Sequence, residues 1–248
     1  MMWKIETSAV YGFVYILAWS RYDFLRFYPR QSLEFFLDGH IRAFHQVGGV
    51  AHRHRYDNLR LVVVQRYPTI RYTPAFMDFA RHYGFSIHVF NVGKANEKGR
   101  VERIIRDAKA FLRITPVSSL EELNAKILVW QQERNLRIHR TTGRPPAEML
   151  REEKLRPLPR IDARPYRCVS ADISQTAFVE FDANRYSVLS DYAGMAAEIL
   201  AFPDTIEVLV RGRRVAVHHR VFTRNDKIIF GVPGAGIEPA HPLRGEGF

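Results

Sequence analysis

The hydrophobic pattern of this chain changes period once, at residues 154–165, where Pro157, Pro159 and Pro165 stand among basic residues with no apolar repeat. Such a stretch reads as an interdomain linker. Before it, segments with strand and helix spacing alternate. Residues 10–19 and 23–28 are rich in aromatic and β-branched side chains and flank Ser20 and Arg21, which predicts two adjacent antiparallel strands. Residues 31–46 set Leu33, Phe36, Leu37, Ile41 and Phe44 at three- and four-residue spacings, and Gly48-Gly49 ends that helix. A short strand is expected to lead into Tyr56-Asp57-Asn58. Thr73-Pro74 opens a helix through His82, residues 85–92 alternate as a strand, and residues 101–112 are helical with Val101, Ile104, Ile105, Ala108, Phe111 and Leu112 on one face. Ser118-Ser119 followed by Glu121 and Glu122 caps a further helix running to about Asn135, in which Trp130 is expected to be core. Residues 1–153 therefore read as an α/β domain.

After the linker the pattern is β only. Residues 178–181, 185–189, 197–202, 205–210 and 214–218 are short alternating runs broken by Asp182, Asn184, Gly194 and Gly212, which predicts a small all-β barrel over residues 166–230. Residues 231–248 are Gly- and Pro-rich without period and are expected to form a disordered tail.

With 248 residues and 46% hydrophobic content the chain can bury two cores. Residues 10–19, the longest apolar stretch, are half what a membrane-spanning helix needs, and no signal peptide is evident, so no membrane partner is expected. One cysteine, Cys168, excludes an intramolecular disulfide framework and a cysteine-rich zinc site and fits a reducing cytoplasm. Lys and Arg outnumber Asp and Glu by 37 to 26, a net +11, which makes a polyanion, and nucleic acid first, the leading partner.

Two carboxylates could carry chemistry. Asp57 follows a predicted strand, and Glu102 lies near the start of a predicted helix, with 44 residues between them. Phosphoryl transfer on DNA with two metal ions needs carboxylates converging from different elements, because Mg²⁺ takes hard oxygen ligands. The ordinary alternatives are a turn at Asp57-Asn58 and a solvated helix face on which Glu102 balances Arg100, Arg103 and Arg106. His52 and His54 read as a basic strand edge, since no further ligand lies at metal spacing. His218 and His219 read as surface features of the barrel. Lys98-Gly99 could meet a phosphate or form a plain loop, and the segment from His139 and Arg140 to Pro146 could contact phosphate or end a helix.

Taken together, Trp19-Ser20-Arg21, the run from Ala43 to Val50, Tyr56-Asp57-Asn58-Leu59-Arg60, the run from Phe79 to Phe85, Lys98-Gly99-Arg100-Val101-Glu102-Arg103 and the run from His139 to Glu148 resemble, in order, the IstA-type transposases of bacterial insertion sequences. Asn184-Arg185-Tyr186-Ser187-Val188 extends the resemblance into a barrel similar to that of Mu transposase, so that it covers residues 10–230. The resemblance implies a ribonuclease-H-like, integrase-type catalytic core followed by the small barrel. It implies Asp57 and Glu102 as the second and third members of an acidic triad holding Mg²⁺ or Mn²⁺, with Lys98, Arg100, Arg103 and Arg140 on DNA. It also implies DNA as substrate, multimers of the chain, an ATPase helper and a cytoplasmic, nucleoid-associated location. The departure is at the first Asp: if Trp3 is the aromatic that follows it, Met2 holds its place, and neither Glu6 nor Asp23 is well placed to substitute. An N-terminal helix-turn-helix region is also expected to be missing. The chain as written is then expected to lack strand-transfer activity; a non-catalytic nucleic-acid-binding remnant is the alternative.

Overall fold

The computed structural model describes residues 2–5, 8–56, 61, 63–65, 71–89 and 95–229 and divides the chain into two compact units, Met1–Tyr166 and Arg167–Phe248. Asp57, Asn58 and residues 231–248 lie outside the described residues.

The first unit opens with an antiparallel meander of β1 (Met2–Ile5), β2 (Ser8–Ile16) and β3 (Asp23–Tyr28), in which Met2 faces Tyr11 and Ile16 faces Asp23. The two strands predicted over residues 10–28 are β2 and β3. The chain reverses between them at Arg21, whose φ of 65° is unusual for a side-chain-bearing residue. Helix α1 (Leu33–Val47) lies on β2 so closely that a Cβ on Gly39 would stand 2.6 Å from the Phe13 ring. It ends at Gly48, whose φ of 76° is the left-handed conformation a helix C-terminus favours.

Strand β4 (Arg53–Tyr56) is followed by the short hairpin β5 (Val63–Gln65) and β6 (Arg71–Tyr72) and by helix α2 (Pro74–Tyr83). Strand β7 (Ser86–Val89) then returns parallel to β4, so a parallel pair is joined through a helix. Phe44, Val50, Tyr56, Phe76, Phe79 and Phe85 fill the core beneath it.

Three helices complete the unit: α3 (Ala95–Arg113), α4 (Leu120–Leu136) and α5 (Pro146–Leu150). Helix α3 begins six residues before the predicted Val101, because its first turns carry no apolar repeat by which to recognise them. Ser119 caps α4 by accepting from the Glu122 amide, as the sequence implies. Trp130 is only half-buried, stacked on Phe111 with Arg134 over its ring. The result is the mixed α/β unit with flanking helices that the sequence predicts.

Three expectations need correction. The proline-bearing stretch is no free linker: Arg156 and Val50 exchange backbone hydrogen bonds of 2.8 and 2.9 Å, Asp162 accepts from Tyr83, and Leu158 and Ala163 pack on the core of the first unit. Its prolines remove donors without preventing side-chain docking. His54 is no exposed strand edge, for it is buried against Phe85. His218 is likewise buried, bonded at 2.7 Å to the Ser187 carbonyl.

The second unit has β8 (Arg167–Asp172), β9 (Phe178–Phe181), β10 (Asn184–Ser187), β11 (Ala196–Ala201), β12 (Thr205–Val210), β13 (Arg213–His219) and β14 (Lys227–Ile228). They form a four-stranded sheet, β13-β12-β11-β8, and a three-stranded sheet, β14-β10-β9, around one core with Val179, Tyr186, Ile199, Ile206 and Val208 at its centre. Asp182 and Ala183, at φ of 50° and 65°, make the tight turn between β9 and β10. No ladder joins the two sheets among the described residues, so the predicted barrel is open; β14, two residues long, is too short to bridge them.

Candidate functional site

Four stretches of the first unit meet around a cavity of about 500 Å³. The β2–β3 turn supplies Arg21 and β3 supplies Asp23. Helix α3 supplies Gly99, Arg100, Arg103 and Ile104, which share one helical face, and the end of α4 with the turn after it supplies Arg134, Arg137, Ile138, His139, Arg140 and Thr141. Ile16 and Pro146 complete the wall.

Six arginines against one aspartate make this wall strongly cationic. Arg134 is the one that serves the fold: it bonds Asp23 at 2.8 Å and Asp107 at 2.7 Å, tying α4 to β3 and α3. Burial raises the Asp23 carboxyl, and the Arg134 guanidinium opposes that rise. Arg137, just past the end of α4, stands 3.6 Å from Glu133. Arg100, Arg103 and Arg140 have no carboxylate partner among the described residues, and Arg21 is held by the Ala18 carbonyl. Burial and then Arg100 lower the Arg21 guanidinium. The His139 imidazole is lowered by burial and then by Arg21, Arg103, Arg134 and Arg100. Its Nδ1 accepts from the Thr141 amide at 3.3 Å, so in the neutral ring the proton sits on Nε2.

Three of the four residues predicted to meet DNA, Arg100, Arg103 and Arg140, are thus brought to one cavity. Lys98 is on α3, with its side chain outside the described set. Glu102 is exposed on α3 and is not part of the cavity wall. Met2 is exposed on β1. Asp23 is bonded to Arg134 through one carboxylate oxygen. Among the described residues no three His, Cys, Asp or Glu side chains cluster as a metal site would require, and Glu102 alone is too few ligands for Mg²⁺. No helix among the described residues is long and apolar enough to cross a membrane. Arg137 joined the site without any signal in the sequence, while Arg21 and His139 stood in motifs whose spacing did not show that they meet.

Residues 158–229 match the family model described as the Mu transposase C-terminal domain. The chain is 30% identical over 221 residues to a transposase of Aminobacter aminovorans, covering 84% of this chain and 42% of that protein. It is 29% identical over 216 residues to the transposase for insertion sequences IS1326/IS1353 of Pseudomonas aeruginosa, covering 83% and 42%. The chain is a relative of the insertion-sequence transposases and spans less than half the length of these two proteins. A solved structure, the HTLV-2 integrase catalytic core domain in complex with magnesium, aligns over 60% of this chain and 89% of its own at 16% identity and a TM-score of 0.45.

Proposed function

We propose that this chain is the catalytic-core and C-terminal portion of a DNA transposase and that, as written, it binds DNA without completing strand transfer. The observation that carries the DNA reading is the arginine cavity, which borders the face of α3 next to Glu102 and whose six arginines and one aspartate among the described residues favour an anion. Kinship with transposases supplies the substrate class. In this reading the first unit is ribonuclease-H-like, and Asp57 and Glu102 would hold Mg²⁺ or Mn²⁺, which when bound would stabilise the attacking and leaving oxygens of a phosphodiester. Met2, whose thioether is no ligand for hard Mg²⁺, stands where the resemblance places the remaining carboxylate. The chain's own contribution is to grip and orient the strand through Arg100, Arg103 and Arg140. A second copy of the chain and an ATPase helper are further proposed partners.

The test compares cleavage and joining of pre-cut transposon-end DNA, with Mg²⁺ or Mn²⁺, by this chain and by the chain carrying Met2→Asp, each with and without Glu102→Gln. The expected result is DNA binding by all four, no joining by the parent, and any activity gained by Met2→Asp abolished by Glu102→Gln. Joining by the parent that survives Glu102→Gln would remove the proposed carboxylates from the chemistry.

A further inference from the structure

We propose that the cavity between the β2–β3 turn, α3 and the His139–Arg144 turn binds a phosphate group of a single nucleic-acid strand, and that binding draws one proton from solvent onto His139. The substrate class rests on the DNA reading above; the proton coupling is independent of any cleavage chemistry.

The first argument is electrostatic. Arg21, Arg100, Arg103 and Arg140 come from elements far apart in the chain and converge without carboxylate partners among the described residues. Guanidinium groups lining one cavity repel one another, and more strongly beside a low-dielectric wall. An anion removes that repulsion. The second argument is shape. Duplex phosphates lie on a convex rod, whereas this wall is concave and encloses about 500 Å³. The apolar surfaces of Ile16, Ile104, Ile138 and Pro146 beside the guanidinium groups suit a strand that can turn a sugar and base inward as its phosphate meets arginine.

His139 reports occupancy because of what faces it. Arg21 from the β2–β3 turn, Arg100 and Arg103 from α3, Arg134 from α4, and Arg137 and Arg140 from the turn after it are cationic, and Asp23 from β3 is bound to Arg134. Arg144 is paired with Glu148 and Glu152. Burial and that field disfavour the charged form of His139, and Nδ1 accepts from Thr141. A bound phosphodiester cancels part of that field, so the ring gains a proton at Nδ1 and gives up the bond from the Thr141 amide, leaving the charged ring beside the phosphate. The proton comes from solvent, and phosphodiesters themselves do not titrate near neutral pH.

The experiment is isothermal titration calorimetry of the whole chain at pH 6 in two buffers of different ionisation enthalpy. Hexathymidylate, sodium sulfate and a six-base-pair duplex are titrated separately. Hexathymidylate is expected to bind with proton uptake, and Arg100→Ala/Arg103→Ala, both exposed positions, to weaken it at least about tenfold. His139→Gln is expected to abolish the uptake and to weaken hexathymidylate binding less than the double arginine substitution does. Sulfate showing the same uptake at lower affinity supports the cavity as a general anion site, whereas tighter hexathymidylate binding assigns it to a nucleic-acid strand. Hexathymidylate binding that the arginine substitutions leave unchanged, or uptake that persists in His139→Gln, overturns the inference. No binding to the duplex or to a longer one titrated in the same way, with hexathymidylate binding and its uptake intact, would sink the transposase-type DNA reading alone.

Discussion

At His54 an imidazole ring lies 4.0 Å from the Phe85 ring and within 10° of parallel, inside a core that water does not reach. A short polar chain runs from it. The His40 Nδ1–H donates to the Phe36 carbonyl at 2.8 Å, so its Nε2 accepts from the Tyr56 hydroxyl at 3.0 Å, and that hydroxyl accepts from His54 Nδ1 at 3.0 Å. Every member of this arrangement is neutral, and His54 Nε2 ends it without a hydrogen bond. Burial accordingly lowers His40 to about 4, and burial together with His40 lowers His54 to about 3. Both folded values lie below the ordinary 6.5, so the unfolded chain takes up protons first as pH falls. Their stabilising effect is full above about pH 6.5 and is lost progressively as pH drops toward the folded values, by up to about 1.4 kcal/mol per histidine per pH unit. Urea midpoints of the first unit should therefore fall between pH 7 and pH 5. In His54→Phe, which keeps the ring stack, that fall should be visibly shallower; an unchanged slope would show that these histidines do not govern the acid limb.

Helix α4 shows how an element can be placed by polar rather than apolar residues. Strand β3 ends its sheet, and an exposed strand edge carries unpaired amides. Here α4 covers that edge with side-chain amides at one helical face. Asn135 accepts from the Asp23 N–H and donates to its carbonyl, Gln131 accepts from the Leu25 N–H at 2.7 Å, and Asn124 both accepts from and donates to the Phe27 backbone. The spacing of seven and four residues on the helix meets every second residue of the strand. Leu123 and Ile127 are fully buried beside them, so the contact is apolar and hydrogen-bonded at once. Gln131→Leu keeps volume but leaves the Leu25 amide buried without an acceptor, which should cost about 1–3 kcal/mol by chemical denaturation. Glu133→Ala, on an exposed position of the same helix, should cost well under 1 kcal/mol.

At the scale of the molecule, each unit has its own core, and residues 155–163 are attached to the first by hydrogen bonds and packing. A fragment of residues 167–229 is expected to fold alone with a cooperative thermal transition. Cutting the first unit at residue 153 rather than 166 should lower its melting temperature by several degrees, since the Arg156 ladder and the Asp162 contacts go with the removed segment. Equal melting temperatures would return that segment to the role of a free linker. What the sequence determined by itself is whatever depends on local spacing. The strand at residues 23–28, the glycine stop of α1, the Ser119 cap and the strand at residues 205–210 all follow from period, capping and turn chemistry acting within a few residues. Three of the cavity arginines were legible as candidates, because a charged residue beside a motif is visible one position at a time. Only the tertiary structure decided that they face one another, that Asp23 belongs to Arg134, that Arg21 and His139 share their field, and that His54 and His218 are buried. Those outcomes depend on which elements meet, and a contact between residues a hundred positions apart leaves no trace in the spacing of either.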